Sequence, residues 1–279
     1  MSLPTISVVV PSLNQGAFIE ATLQSIVDQG YPNLELIVID GGSKDESVDV
    51  IRKYSSSISY WISEPDAGQT NALIKGFSRA VGDIQCWINS DDQMANRSMF
   101  QVADFFQRMP DAEAVFGDTA WMDRHGRLLR IQREIPFNRF IWLHTYNYIP
   151  CMSMYWRRSL YERVGGLDSR FDLAMDADLW SRFSDVTRIY HVRDVWSYQR
   201  FYAEQKNIRL RDVTEKEDEL IRGRCWGSVE PRFLPAKRAT ALALRILWRA
   251  ATGCYSRTYV RNLEKVTGDS TERSFADLK

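Results

Sequence analysis

The feature that most constrains the fold is an alternation of strand-like and helix-like segments in the first third of the chain. Short apolar runs cover residues 6–10, 34–39, 58–62 and 84–88, and helical spacing of apolar residues covers 19–27, 43–51 and 70–80. We expect Pro11 to stop the first strand and Ser43 to begin a helix in a capping box. The alternation predicts an α/β fold with a right-handed, doubly wound parallel sheet. Ligands of such a sheet bind at the carboxyl ends of its strands.

A different pattern follows residue 118. It predicts a hairpin around residues 121–129, strands at 152–156 and 187–192, and helices at 159–164 and 176–183. From about residue 226 the pattern becomes helical and basic. We therefore divide the chain into a first ligand-binding half, 1–118, a second half that completes the site, 119–225, and a helical basic C-terminal segment, 226–279.

Charge is balanced overall but divided along the chain. The 279 residues carry 36 basic and 36 acidic side chains. Residues 1–118 contain 7 basic and 16 acidic ones, so the formal charge is −9 there and +9 over the remainder. A balanced total argues against a nucleic-acid partner, because nucleic-acid-binding proteins usually carry a basic excess. The division indicates that the two halves have different partners.

Cysteine, histidine and hydropathy patterns argue against further classes of protein. The four cysteines form no CxxC pair and the three histidines show no metal-ligand spacing, so we expect reduced thiols and no zinc site. The amino terminus lacks the form of a signal peptide. The apolar stretch at 239–251 is broken by Arg245 and Arg249. These features favour a cytoplasmic protein without a membrane span.

The usual phosphate-binding loops of doubly wound sheets are missing from the sequence. Residues 11–16 lack the GxGxxG pattern, and no GxxxxGK[ST] motif occurs. NAD-binding and P-loop functions are therefore disfavoured. Asp91 and Asp92 follow the fourth strand, where paired carboxylates are able to hold a divalent cation that a diphosphate also coordinates.

Several motifs in a fixed order carry a resemblance to a known family. In the first half they are Val8-Val9-Val10-Pro11-Ser12-Leu13-Asn14, Val38-Ile39-Asp40-Gly41-Gly42-Ser43, Ser63-Glu64-Pro65-Asp66-Ala67-Gly68-Gln69 and Trp87-Ile88-Asn89-Ser90-Asp91-Asp92. In the second half they are Val164-Gly165-Gly166-Leu167-Asp168 and Met175-Asp176-Ala177-Asp178-Leu179-Trp180. Over roughly residues 4–205 the chain resembles family 2 glycosyltransferases of the GT-A fold. The resemblance implies a Rossmann-like, mostly parallel sheet flanked by helices, with a nucleotide sugar bound by 1–118 and an acceptor by 119–225.

The resemblance implies five contacts to the nucleotide. Pro11, Ser12 and Asn14 match the loop beside the base and ribose, and Asp40 matches a carboxylate that accepts a hydrogen bond from the nucleobase. Asp66 matches a further nucleotide contact. The alternative for each is a structural turn, since Asp at a strand end caps turns and the sequence around Asp66 is itself typical of a turn.

The resemblance also implies a metal site that binds Mg²⁺ or Mn²⁺. Asp92 matches the metal ligand of the family, and Asp91 matches a residue expected near the ribose or the metal. The alternative for the two residues is a solvated turn. Asn89 stands where many relatives have Asp. Arg200 matches an arginine of an Arg-x-His motif near the diphosphate, and Tyr202 occupies the place of the histidine.

Asp176 matches the general base of the family, with Met175 in the position of a preceding glutamate. Asp176 and Asp178 are two residues apart, about 200° around a helix, so only one faces a cleft. Asp178 has Arg182 four residues later and is read as its ion-pair partner. The alternative for Asp176 is a helix N-cap. A single base and a metal-assisted leaving group imply inversion at the anomeric carbon.

The expected function is transfer of a sugar from a UDP, GDP or dTDP sugar to a hydroxyl of a glycan or lipid-linked acceptor in cell-surface polysaccharide synthesis. Two alternatives remain, a sugar-phosphate nucleotidyltransferase and a GT-A module that binds without turnover. The first needs a basic loop after the first strand, and residues 11–18 contain no Lys or Arg.

The last segment has two interpretations. Residues 230–265 carry eight basic and two acidic side chains, interleaved with Leu, Ile and Trp. This composition is typical of an amphipathic helix on a cytoplasmic membrane surface, which would make the protein peripheral to the inner face of the plasma membrane. It fits equally a helix packed on the catalytic domain or in an oligomer interface.

Overall fold

The structure is a computed structural model that describes residues 2–227 and 232–255, without the side chains of residues 207 and 208. Nine strands form one sheet: β1 (Ile6–Ser12), β2 (Leu34–Asp40), β3 (Tyr60–Ser63), β4 (Ile84–Trp87), β5 (Gln93–Met94), β6 (Ala114–Met122), β7 (Leu128–Gln132), β8 (Met154–Arg157) and β9 (Ile189–Arg200). Their order is β3-β2-β1-β4-β8-β6-β9-β5, with β7 paired to β6. Strands β1–β4, β6 and β9 run in one direction, and β5, β7 and β8 oppose them.

The helices of the described residues follow the strands along the chain. They are α1 (Ile19–Val27), α2 (Ser47–Lys53), α3 (Gln69–Phe77), α4 (Ser98–Arg108), α5 (Arg139–His144), α6 (Arg158–Arg163), α7 (Met175–Val186), α8 (Lys206–Arg209), α9 (Arg211–Cys225) and α10 (Leu234–Ala251). The predicted class, a mostly parallel α/β sheet flanked by helices, is confirmed. Strand β6 runs across residue 118, and the division of the chain into two halves stays a prediction.

Several boundaries in the first half differ from the prediction. Strand β3 begins at Tyr60 and not at 58, and α3 ends at Phe77 and not at 80. Two other differences have a local physical reason. Strand β1 continues through Pro11 to Ser12. Proline has no N–H to donate, but the neighbouring strand β4 already ends opposite Val9, so no hydrogen bond to β4 is lost at Pro11. The pairing of β1 with β2 on the other side continues. Helix α2 begins at Ser47, because the Ser43 hydroxyl and amide instead bond to the carboxylate of Asp40.

In the second half the predicted hairpin is confirmed as β6 and β7. Strand β9 is longer than the predicted segment 187–192 and reaches Arg200. It pairs in parallel with β6 along most of its length and, near its end, antiparallel with β5. The tip of β9 therefore lies beside the turn that follows β4, where Asp91 and Asp92 are.

The core fills both faces of the sheet. On one face Trp87, Trp156 and Trp180 pack together, with ring centroids 5.4–5.6 Å apart. On the other, Val8 and Val10 of β1 pack with residues of α1, as the two-residue period of a strand requires. Helix α3 approaches β1 so closely that a Cβ on Gly76 would lie 2.4 Å from Cγ1 of Val9.

Helix α10 packs against the second half through a buried ion pair. Its inward residues include Arg245, whose side chain is 3% exposed and pairs with the buried carboxylate of Glu134 at 2.8 Å. Within the described residues no helix is both long and apolar enough to cross a membrane. Residues 228–231 and 256–279 of the predicted basic segment lie outside the described part of the chain.

Candidate functional site

A cavity of about 790 Å³ opens at the carboxyl ends of β1 and β4 and beneath the start of α7. This is the edge at which ligands of parallel sheets bind. The predicted site residues that line it are Pro11, Ser12, Asn14, Asp66, Asp91, Asp92 and Asp176. Asp40 and Arg200 are not among its lining residues. Seven predicted positions, spread over 166 residues of sequence, are thus brought to one cavity.

The carboxylate pair after β4 is held by the far end of β9. Oδ1 of Asp92 accepts the backbone N–H of Arg200 at 2.8 Å, and Oδ2 accepts the side-chain amide of Asn89 at 3.1 Å. Asp91 accepts the phenol hydroxyl of Tyr202 at 2.8 Å. Burial, with the Asp91 charge beside it, raises the pKa of Asp92 well above its usual range. The contacts therefore orient the two carboxylates, and the positive charge around them is not enough to offset the burial of Asp92.

These residues fit a hard divalent cation. A carboxylate has about four lone-pair sites, and each of Asp91 and Asp92 keeps some of them unused by the contacts above. Among the described residues no group of three or more His, Cys, Asp or Glu is placed to hold a metal. A cation at this pair would therefore complete its shell with phosphate oxygens and water, which is the usual arrangement for Mg²⁺ in nucleotide sites.

The loop after β1 lies along the same cavity. Asn14 adopts a positive φ of 52°, and its side-chain oxygen accepts the amide of Lys44 at 2.9 Å. Ser12 is 5% exposed, and within the described residues its buried hydroxyl has no hydrogen-bond partner. A buried hydroxyl that lines a cavity without a partner is a ready contact for a polar ligand. Asp66 also lines the cavity and accepts the amide of Gly68 at 2.9 Å.

Asp40 is fully buried at the end of β2, where it organises a turn. Its Oδ2 accepts the amides of Gly42 and Ser43 at 3.1 and 2.9 Å and the hydroxyl of Ser63 at 2.7 Å. Its Oδ1 accepts the hydroxyl of Ser43 at 2.5 Å. This geometry is that of the turn-capping alternative, and the contact of Asp40 to a nucleobase stays a prediction.

Arg200 is also used within the protein. Its guanidinium donates to the carbonyl oxygens of Asp91 at 2.8 Å and Arg124 at 2.8 Å, and it lies 4.7 Å from the ring centroid of Phe18. The side chain is buried and ties the hairpin β6–β7 to the turn after β4. Its contact to the diphosphate stays a prediction.

Asp176 stands at the second position of α7 and lines the cavity. Oδ1 accepts the amide of Ala177 at 2.7 Å, and Oδ2 accepts the side-chain amide of Asn147 at 2.8 Å. Burial raises the pKa of Asp176 to about 6, against the lowering effect of these two donors. A carboxylate with such a pKa is mostly ionised at pH 7 yet basic enough to take a proton.

Asp178 lies two residues after Asp176 on α7 and forms the ion pair with Arg182 that the sequence predicts. Its carboxylate is fully buried and pairs with Arg182 at 2.5 Å. A second partner, Arg224 of α9, also lies at 2.5 Å. Asp178 is thereby neutralised, and Asp176 alone of the two lines the cavity.

Sequence reasoning missed some residues that line the cavity or contact its lining. Asn147 binds Asp176 from 29 positions away, and an isolated Asn after an aromatic segment gives no signal of that contact. Lys206 and Arg209 of α8 and Arg124 of the hairpin line the mouth. The basic excess of the second half was the available signal for them, but it does not say which cations face the cavity.

Comparisons with known proteins place the chain among glycosyltransferases. The family model described as glycosyl transferase family 2 matches residues 7–164, more than half of the chain. An uncharacterized glycosyltransferase of Mycobacterium tuberculosis is 30% identical over 70% of this chain and 74% of its own. A glycosyltransferase of PGL/p-HBAD biosynthesis from Mycobacterium bovis is 27% identical over 72% of this chain and 79% of its own.

Solved structures share the fold at low identity. Staphylococcus aureus TarS 1–349 in complex with UDP-GlcNAc has a TM-score of 0.60 at 18% identity, covering 74% of this chain. This chain matches 61% of that one, so a substantial part of it has no counterpart here. The mannosyltransferase PcManGT of Pyrobaculum calidifontis, in complex with GDP-Man and Mn²⁺, has a TM-score of 0.61 at 18% identity and covers 91% of this chain and 77% of its own.

Proposed function

The chain belongs to glycosyltransferase family 2 and has the GT-A fold, and from this we propose that it is an inverting, metal-dependent sugar transferase. It would move a sugar from a nucleotide sugar to a hydroxyl of a glycan or lipid-linked acceptor. The observation that carries the proposal is the shared cavity, which combines the pair Asp91 and Asp92 with Asp176, whose pKa is near 6. One side suits a diphosphate with its cation, and the other suits a base.

Asp176 would act as the base. At pH 7 a group with a pKa of about 6 is ionised about ten to one, so it is ready to accept the proton of an acceptor hydroxyl. The hydroxyl oxygen attacks the anomeric carbon as the bond to the diphosphate oxygen breaks. Since attack and departure occur on opposite faces of the sugar, the product has inverted configuration.

Asp92, with Asp91, would hold Mg²⁺ or Mn²⁺. Such a cation, when bound, neutralises charge on the departing diphosphate. Asn89 and the backbone of Arg200 orient the Asp92 carboxylate for that purpose. The Mn²⁺ in the complex of the Pyrobaculum mannosyltransferase supports a divalent ion at this fold.

The donor would be a UDP, GDP or dTDP sugar in contact with Pro11, Ser12, Asn14 and Asp66, which line the cavity. The solved relatives with UDP-GlcNAc and GDP-Man support a nucleoside diphosphate sugar. Relatives named as glycosyltransferases of PGL/p-HBAD biosynthesis support a role in biosynthesis.

A thermal-shift panel tests the donor site. UDP, GDP and dTDP sugars are added with Mn²⁺ to the wild type, to Asp176→Asn and to Asp92→Asn. We expect one nucleotide class to raise the melting temperature of the wild type and of Asp176→Asn, because a ligand stabilises the fold that binds it. Asp92→Asn should lose most of the metal-dependent part of the shift.

Turnover is then measured with the donor so identified, as release of nucleoside diphosphate. Asp176→Asn should lower kcat by about 10²–10⁴ while donor binding persists. Unchanged turnover in Asp176→Asn would contradict the base. A panel without any shift would contradict the donor class.

We propose further that the outer face of α10 lies on an anionic membrane. The exposed residues between positions 239 and 251 are only Ala, Thr, Leu and Ile, and Leu242 and Leu247 are 50% and 66% exposed. Cations flank this face, since Arg232 and Arg238 are exposed at its amino end and Arg193 binds the carbonyl of Thr252 at its carboxyl end. The sequence has no acidic residue from 231 to 263. An apolar face bordered by cations suits anionic lipid.

Vesicle co-sedimentation of the full chain tests this surface. Wild type should bind phosphatidylglycerol vesicles, bind phosphatidylcholine vesicles weakly, and leave the former at high salt. The double variant Leu242→Gln/Leu247→Gln should bind at least about tenfold more weakly, since each leucine contributes about 1.5–3 kcal/mol when buried. Leu220→Gln on α9 is the matched control, because Leu220 is 67% exposed. Equal losses in both variants, or monomer–dimer change without vesicle binding, would overturn the membrane proposal.

A further inference from the structure

The carboxylate of Asp176 accepts a hydrogen bond from the side-chain amide of Asn147, at 2.8 Å. We propose that Asn147 is a positioning residue, which fixes the direction of the Asp176 carboxylate and keeps it in its ionised form. The proposal rests on the assignment of Asp176 as base and deepens it. Asn147 is half-buried and belongs to the segment between α5 and β8, far from α7 in sequence.

The orientation of the Asn147 amide is set by its other contacts. Its Oδ1 accepts the indole N–H of Trp142 at 3.2 Å and the backbone N–H of Ile149 at 3.2 Å. Because both of these groups are donors, the amide atom that faces them is the oxygen. The NH₂ group of Asn147 therefore faces Oδ2 of Asp176. The amide therefore acts as a donor with one defined direction, and a carboxylate accepts such a bond best when it is charged.

The segment that carries Asn147 is held from both C-terminal helices. Arg222 of α9 donates to the carbonyl of Trp142 at 3.2 Å. Arg245 of α10 lies over the rings of Tyr146 and Tyr148, 4.5 and 4.6 Å from their centroids. Because these tyrosines flank Asn147 in sequence, the two helices restrict how far the amide is able to move away from Asp176.

Other titratable groups around Asp176 act in known directions. Asp218 of α9 adds a like charge, which raises the pKa of Asp176. Burial raises the pKa of the Cys151 thiol beyond its ordinary value, so that thiol is neutral at pH 7. Asp178 is paired with Arg182 and Arg224, and Lys206 at the cavity mouth is paired with Asp172. The hydrogen bond from Asn147 lowers the pKa of Asp176 and so opposes burial and the Asp218 charge, which raise it. Removal of the Asn147 donor therefore raises the pKa of Asp176.

The test is a pH titration that needs no substrate. The ¹³Cγ resonances of aspartate-labelled full-length protein are followed from pH 4 to 8, and the signal absent from Asp176→Asn identifies the base. Asn147→Leu removes the donor, and the isosteric Asn147→Asp replaces it with a carboxylate. We expect the pKa of Asp176 to rise by at least about half a unit in Asn147→Leu, a threefold tighter proton, and further in Asn147→Asp, where two carboxylates would share the contact.

Once the donor is known, the acidic limb of kcat/KM should move upward by the same amounts, with activity partly recovered above pH 8. Asn71→Leu is the control, since Asn71 is half-buried, as Asn147 is, and its amide bonds to the carbonyl of Ala67 at 3.3 Å and not to Asp176. An Asp176 titration unchanged in both Asn147 variants would overturn the inference. Activity retained by Asp176→Asn would instead overturn the assignment of the base, so the two failures are distinguishable.

Discussion

The buried ion pair between Arg245 and Glu134 makes a quantitative prediction about what holds α10 in place. The two side chains are 3% and 1% exposed. Arg249 contacts the same carboxylate, with both oxygens 3.0 Å from its Nη1. Burial raises the pKa of Glu134 despite these two guanidinium groups, which indicates that its desolvation is large. The main effect of the ion pair with Arg245 is therefore to compensate the buried negative charge of Glu134.

Removal of one partner of a buried pair costs about 3–5 kcal/mol. For Arg245→Met, which keeps the apolar stem, we expect the lower end, about 3 kcal/mol, because Arg249 still neutralises Glu134. At about 2–4 °C per kcal/mol for a chain of this size, the melting temperature should fall by about 6–12 °C. The double variant Arg245→Met/Glu134→Gln should regain about half of the loss, since the buried carboxylate is gone and Arg249, which is 17% exposed, keeps access to water.

Urea unfolding followed by tryptophan fluorescence measures all four corners of the cycle. The reasoning requires a coupling free energy of at least about 1 kcal/mol between the two positions. Additive losses would refute it, because they would mean that Arg245 stabilises α10 through packing on Tyr146 and Tyr148 and that the charge of Glu134 is immaterial. Arg238→Met, on the exposed side of the same helix, should change stability by less than about 0.5 kcal/mol.

The protonation of Asp176, the close approach at Gly76 and the charge of Asp178 each have a measurable consequence. With the identified donor, kcat/KM should fall tenfold per pH unit below about pH 6, because protonated Asp176 accepts no proton; a rate that is flat from pH 5 to 7 would exclude Asp176 as the base. Gly76→Ala should destabilise the fold by about 1–3 kcal/mol, measured by urea unfolding, since the new Cβ would meet Val9 at 2.4 Å; a neutral effect would show that α3 shifts freely. Asp178→Asn should cost about 1.5–3 kcal/mol in the same assay by removing the charge that Arg182 and Arg224, 21% and 39% exposed, bind, and a loss below about 0.5 kcal/mol would contradict a structural role.

The sheet and the position of its site were largely predictable. Val- and Ile-rich runs define the parallel strands, and the polar residues that end them, such as Ser12 and Asp91, come together because parallel strands end at one edge. The ion pair of Asp178 was predictable for a similar reason, since helical spacing alone places Arg182 on the same face.

What was not predictable depends on contacts between distant segments. The donor from Asn147 to Asp176 and the reach of β9 to Arg200 are set by packing, which has no local pattern. Helix α10 was read from its leucines, yet its buried stripe contains Arg245 and its exposed face contains Leu247. The reason is the carboxylate of Glu134, whose burial outweighs the ordinary preference of arginine for water.

The amide of Arg200 that orients Asp92 follows it by 108 residues, and this separation has a consequence for synthesis. A ribosome delivers the strands β1–β4 and both carboxylates long before it delivers the tip of β9. Until that tip joins the sheet, the Asp92 side chain lacks one of its two donors and the pair is not directed at the cavity. The nascent chain thus gains the final orientation of this carboxylate pair late, when Asp176 of the same cavity already exists.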